Sequence, residues 1–319
     1  MNSKNSAIAP GSPPLSTTAT TASAPRDAPS SGLAWGALGI LAFSWTVPLT
    51  RVAVTGGLSP ELVGYGRAIV PGILAVVLLW ATRQRRPRGA EWISIAVVAG
   101  GSVIGFPILT SNASQTVPAA HSAVVIGLLP LTTAAFGVLR TGERPRVGFW
   151  LASIAGAIAV VAFVGLDHGR FGAVGTGDLL LAAAVLVCAL GYMEGGVLAR
   201  TLGSWQTICW ALVTASPVMA TLTWATVPDL GAELRAFTPS TGVAFAYLSL
   251  VSMFLGFFAW YHGLGIGPVS RVSQVQLLQP ILSILWAAAI VGERPGHAVY
   301  LGAVVVLALA ATAVRARSR

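Results

Sequence analysis

Four ionisable side chains stand inside long apolar stretches of this 319-residue chain: Arg67, His121, Glu194 and Arg271. A charge surrounded by hydrocarbon is costly, about 3 kcal/mol on insertion scales, so such residues face a cavity or one another. Their chemistry suits an ion pair, a proton-bearing contact or the capture of a charged solute. It does not suit covalent catalysis. The chain holds no His-Glu-x-x-His, no Gly-x-Ser-x-Gly and no phosphate-cradling glycine loop with lysine, and lysine occurs only at position 4. The two cysteines, Cys188 and Cys209, fall within apolar segments and suggest neither a disulfide framework nor a metal site. No catalytic residue, metal or cofactor is therefore expected. Gln279 joins the candidates because Pro280 behind it frees a backbone carbonyl where a solute could bind.

What must hold these residues in place is a set of membrane-crossing helices. Apolar residues make up 55% of the chain and charged ones 9%, with a mean hydropathy of +0.78. A soluble domain is about a quarter charged. Ten continuous apolar segments of spanning length can be read: Leu33–Ala53, Glu61–Ala81, Trp92–Leu109, Val117–Leu139, Val147–Leu166, Leu179–Ala199, Trp205–Val227, Thr241–Leu264, Pro268–Val291 and Ala298–Val314. They do not alternate as barrel strands would, so the expected fold is an all-α membrane protein with ten transmembrane helices.

Residues 1–31 are rich in Ser, Thr, Ala and Pro and lack the apolar core of a signal peptide, which reads as a disordered cytoplasmic tail. Translation starting later, near Leu33, fits the sequence equally well. With the N-terminus inside, thirteen Lys and Arg fall on the cytoplasmic side and four outside. That bias predicts a multi-pass protein of the cell (inner) membrane with both termini cytoplasmic. The net charge of +9 needs no nucleic-acid partner, since no soluble basic face exists, and anionic lipids of the inner leaflet are the natural partners of the arginines. No oligomeric partner is read from the sequence.

The chain also repeats itself. Gly-Glu-Arg-Pro occurs in "TGERPR" from Thr141 and in "VGERPG" from Val291, 150 residues on, and the same offset lays Pro118 on Pro268, Pro130 on Pro280 and Leu151 on Leu301. Two halves, 32–167 and 176–316, are the economical account. Five helices in each is an odd number, so the second half enters the membrane from the opposite side and the repeat is inverted. The two motifs then lie at opposite surfaces and cannot share one active site. Gly142 and Gly292 suit turns, Pro145 and Pro295 the first turn of the next helix, and Glu143 and Glu293 the positive end of that helix.

The offset of 150 places His121 on Arg271, and the adjacent register of 149 places Trp45 on Glu194. Inverted symmetry puts Trp45 and His121 near the outer mouth, mirroring Glu194 and Arg271 near the inner one, where those two are within geometric reach of each other. These residues are expected to flank a central cavity and help close its two gates. Trp45, Tyr65, Trp210, Trp260 and Tyr261 are candidates for aromatic walls. Glycine pairs at helical spacing, Gly32 with Gly36, Gly101 with Gly105 and Gly191 with Gly195, would let helices approach closely.

Ten helices in two halves, with "LLPLTTAAFGVLRTGE" and "LLQPILSILWAAAIVGE" each closing on a Gly-Glu turn, resemble the EamA-type drug/metabolite transporters. "LAFSWTVPLTRVA" in the first segment and Arg67 in "YGRAIV" are similar to that family's pattern too. The resemblance covers Leu33 to Val314. It implies a secondary carrier working by alternating access on a small organic metabolite, amino acids among the class, often outward. An intramembrane enzyme and a non-transporting scaffold or passive channel are the alternatives.

Overall fold

The computed structural model describes residues 28–141, 174–266 and 272–317, with scattered helical positions between 147 and 162. The tail before Ala28, the first motif's Gly142, Glu143 and Pro145, and Arg271 lie outside the described residues. Among those residues there is no strand. Seven helices are long and apolar enough to cross a membrane: α1 (Ser31–Thr55), α2 (Pro60–Ala81), α3 (Glu91–Ala113), α4 (Ala119–Arg140), α5 (Thr176–Leu198), α6 (Ser204–Thr226) and α7 (Pro239–Ile266). Two shorter apolar helices follow, α8 (Val275–Val291) and α9 (His297–Leu309). Helical backbone leading into α1 begins at Ala28, inside what the sequence reads as tail.

Local chemistry sets the helix starts. Ser59 accepts a hydrogen bond from the Leu62 amide with Pro60 behind it, and Thr238 caps α7 reciprocally with Thr241 ahead of Pro239. Contacts between loops define two ends of the bundle. At one end Arg85 bonds the Thr201 carbonyl at 3.2 Å and Gln206 bonds Gln84 at 3.1 Å. At the other the Ser59 amide bonds Glu233 at 3.2 Å, and Arg51 bonds the carbonyls of Ser114 and Val117. Helix α1 therefore runs from the first end to the second, while α5, its counterpart in the repeat, runs back.

The repeat extends to helix irregularities. Helix α3 widens to π-type turns over Ala99–Gly105 and α7 does so over Tyr247–Leu255, two stretches that the 150-residue offset superposes. Such widened turns are uncommon and gather at functional sites. Small residues bring the helices together as their spacing suggests. A Cβ on Gly263 of α7 would stand 2.7 Å from the Gly36 amide nitrogen of α1, and one on Gly101 of α3 would stand 2.2 Å from the Val187 carbonyl oxygen of α5. Only glycine permits backbones that close.

The second motif is architectural, but it serves a different helix from the one expected. Gly292 takes the left-handed conformation (φ 71°) that ends α8. Glu293 then accepts hydrogen bonds from the amides of Ala119 (2.8 Å) and Ala120 (2.9 Å), at the positive end of α4 rather than of the following helix. Pro295 lies in the loop before His297 and not in the first turn of the last helix. The open amides at the start of α4 lie against the end of α8, and Glu293 satisfies them.

Candidate functional site

A cavity sits where α1, α2, α3, α5, α7 and α8 meet. Phe43, Phe106, Tyr192 and Phe257 supply aromatic walls, Thr46, Ser102 and Ser252 supply hydroxyls, and Arg67 and Gln279 face in. Its free volume is about 20 Å³, room for a single water, which needs about 10–15 Å³. The cavity is thus closed around almost nothing. Ser102 and Ser252 are 150 residues apart, one in each widened turn, and Phe43 and Tyr192 are 149 apart. The latter two stack at 6.0 Å with their planes 26° apart. Two pairs of residues related by the repeat therefore meet on one cavity.

Arg67 is the feature of this cavity that chemistry does not satisfy. It is 1% exposed, held in a tight turn of α2 at Gly66–Ala68, and its Nε, Nη1 and Nη2 find no hydrogen-bond acceptor among the described residues. The side-chain oxygen of Gln279 and both polar atoms of Gln276 are buried without partners as well. Buried polar groups are nearly always bonded, and a buried charge more so. Thr46 and Ser252, by contrast, bond each other at 2.7 Å.

Polar contacts close the bundle on either side of the cavity. At the end expected to be cytoplasmic, Arg140 Nε donates to Glu194 Oε1 at 2.7 Å and Ser94 Oγ donates to Glu194 Oε2 at 2.9 Å, tying α4, α5 and α3. Glu194 therefore meets Arg140, which sequence reasoning had not included; Arg271 is outside the described residues. At the opposite end His121 Nε2 and Asp178 Oδ1 lie 2.8 Å apart, and Asp178 Oδ2 accepts from the Gly175 amide at 2.9 Å. That contact joins α4 to α5 a few residues from where Glu293 holds the start of α4.

Trp45 stands beside the cavity, stacked on Trp286 at 4.3 Å. Trp260 and Tyr261 are fully buried behind the wall, Tyr261 donating to the Gly191 carbonyl at 3.2 Å. Trp210 lies elsewhere, in a recess of about 600 Å³ on the outer face of α2 and α6 with Trp80, Arg83 and Arg86. That recess is larger than the central cavity, but it opens at the outer surface of the bundle beside the exposed Trp80, so size does not make it the solute site. Of the residues missed, Asp178 looks in sequence like an ordinary helix cap. Ser102 and Ser252 carried a usable signal, since they obey the same offset as the repeated motif.

Comparison with known proteins bears on the family and the fold. The model of the EamA-like transporter family matches twice, over residues 30–165 and 175–314. The uncharacterized transporter YdeK of Bacillus subtilis (strain 168) is 44% identical over 280 residues, covering 88% of this chain and 96% of that one. A probable terminal-alkyne amino-acid exporter of Streptantibioticus cattleyicolor is 24% identical over 265 residues, covering 81% and 84%. A solved crystal structure superposes with a TM-score of 0.63 at 21% identity, covering 91% of this chain and 99% of its own, which supports the fold alone.

Proposed function

The chain belongs to the EamA-like transporter family, and we propose that it is a secondary carrier that moves a small organic metabolite out of the cell by alternating access. The observation that carries the reading is the small central cavity on which two repeat-related pairs of residues meet, with a polar contact, or latch, between it and each end. An inverted repeat offers two nearly equivalent arrangements, one open to each side, and opening either latch would select one of them. The relative named as an amino-acid exporter supports both the direction and the size of the cargo. In the same reading both termini are cytoplasmic, the ten helices divide as 32–167 and 176–316, and Arg83 and Arg86 meet inner-leaflet lipid in the recess beside Trp80.

The two latches differ in strength. The Arg140 side chain is 54% exposed, and solvent screens an exposed ion pair so that it contributes little. His121 and Asp178 are 2% and 4% exposed, and removing one partner of such a buried contact costs about 1–3 kcal/mol. The cytoplasmic side therefore opens the more readily. The test is side-specific labelling of Ser252→Cys, in a background with Cys188 and Cys209 changed to serine, by a membrane-impermeant thiol reagent in oriented vesicles. Glu194→Gln should raise labelling from the cytoplasmic side several-fold and lower it from the outside. Labelling that rises from both sides together would describe a channel and contradict the carrier.

A further inference from the structure

We propose that the cavity is built for a small carboxylate carrying one net site of negative charge and an apolar body, with its carboxylate on Arg67; this rests on the carrier reading above. The starting point is a guanidinium with no counter-charge. Arg67 is buried in the middle of the bundle with all three nitrogens unpartnered among the described residues. The acidic side chains of the neighbouring helices are committed elsewhere. Glu194 is held by Arg140 and Ser94, Asp178 by His121 and the Gly175 amide, Glu293 by the start of α4, and Glu91 by Arg85. Among the described residues no acidic side chain lines the cavity. With no acceptor among the described residues, Arg67 is open to an anion brought by the solute.

The rest of the cavity narrows its chemistry. A planar guanidinium presents two parallel N–H donors, the geometry that a carboxylate accepts in bidentate fashion. Arg67 is the single cationic side chain among the lining residues, so a dianion such as phosphate would leave charge unpaired in an apolar site. Phe43, Tyr192 and Phe257 form the facing wall, with ring contacts of 4.9–6.0 Å among them, and would cover an aliphatic or aromatic body. Gln279 adds a buried side-chain oxygen with no donor, which an amino or hydroxyl group beside the carboxylate would satisfy. An amino or hydroxy acid with an apolar side chain meets all three demands. The closed cavity is too small for one, so the solute enters as a latch opens.

The test uses the purified full-length protein in detergent, with phenylpropionate, L-phenylalanine, the amide of each and inorganic phosphate as probes, read by thermal unfolding. The carboxylates should raise the midpoint of the wild type by several degrees and the amides should not. Arg67→Gln should lose the response while unfolding no earlier than the wild type without ligand, because it removes an unpaired buried charge. Arg67→Lys keeps the charge without the fork and should bind about tenfold more weakly; if the glutamine variant fails to fold, this weakening decides. Equal responses to acid and amide, a response to phosphate alone, or an unchanged response in both variants would overturn the proposal. Proteoliposomes separate it from the carrier reading. Saturable exchange confined to uncharged or cationic cargo overturns the carboxylate site and leaves the carrier, whereas Arg67-dependent carboxylate binding without exchange of any solute leaves the site and overturns the carrier.

Discussion

Gly101→Ala is expected to cost more than 4 kcal/mol of stability, although it adds one methyl group. The new carbon would stand 2.2 Å from the Val187 carbonyl oxygen and 3.1 Å from the Gly191 amide nitrogen, both backbone atoms of α5 that no rotamer change can move. Helices α3 and α5 would have to separate, and with them Ser102 and Tyr192 on the cavity. Effects above about 4 kcal/mol are exceptional for single substitutions and require a mechanism such as this. Gly100 is the control, since a Cβ there meets nothing within 4 Å. Alanine is favoured over glycine in a helix by about 1 kcal/mol, so Gly100→Ala should be neutral or stabilising. Thermal unfolding of both variants in detergent, followed by size-exclusion chromatography, checks the pair. Similar behaviour of the two would mean that α3 and α5 do not approach this closely.

The second large effect concerns the buried contact between α4 and α5. Asp178→Ala removes one partner of His121 and the acceptor of the Gly175 amide at once. The His121 ring, 2% exposed, then lacks that acceptor in a buried site, and a loss of about 1–3 kcal/mol is expected. Changing His121 as well, to phenylalanine, should restore part of the loss, because two matched polar groups replaced together are cheaper to lose than one. A double-mutant cycle measures this as a coupling of about 0.5–3 kcal/mol. Strictly additive losses would show that the contact does not couple the two helices. Transport in Asp178→Ala should fall with stability, since the outer latch no longer closes.

Much of this architecture was legible in the sequence, and the reasons are physical. Lipid tolerates only helices whose backbone bonds are satisfied internally, so each uninterrupted apolar run announces its own conformation. The repeat was legible because it is carried by prolines, glycines and a four-residue motif, whose backbone demands change slowly. Arg67 stood out because a charge inside such a run is costly. Partners were harder to see. Nothing in the spacing of Glu194 says that α4 brings Arg140 to it, since that depends on helix rotation and on which neighbours pack. The same holds for Glu293, whose sequence neighbours suggest the next helix although the nearest open amides belong to α4. The aromatic wall was misplaced for a related reason. Tryptophans are the conspicuous aromatics, yet Phe43, Phe106, Tyr192 and Phe257 face the cavity while Trp260 packs behind Tyr192 at 5.6 Å.

Counterflow tests the central claim most directly. Proteoliposomes holding the wild-type protein are preloaded with pooled small metabolites, and entry of labelled compounds against that load is followed. A carrier with one cavity and two alternating latches should show saturable exchange of one class of compound, accelerated by the same class on the far side, and weakened by Glu194→Gln, which loosens the cytoplasmic latch. Entry that never saturates and gains nothing from the trans load would contradict it.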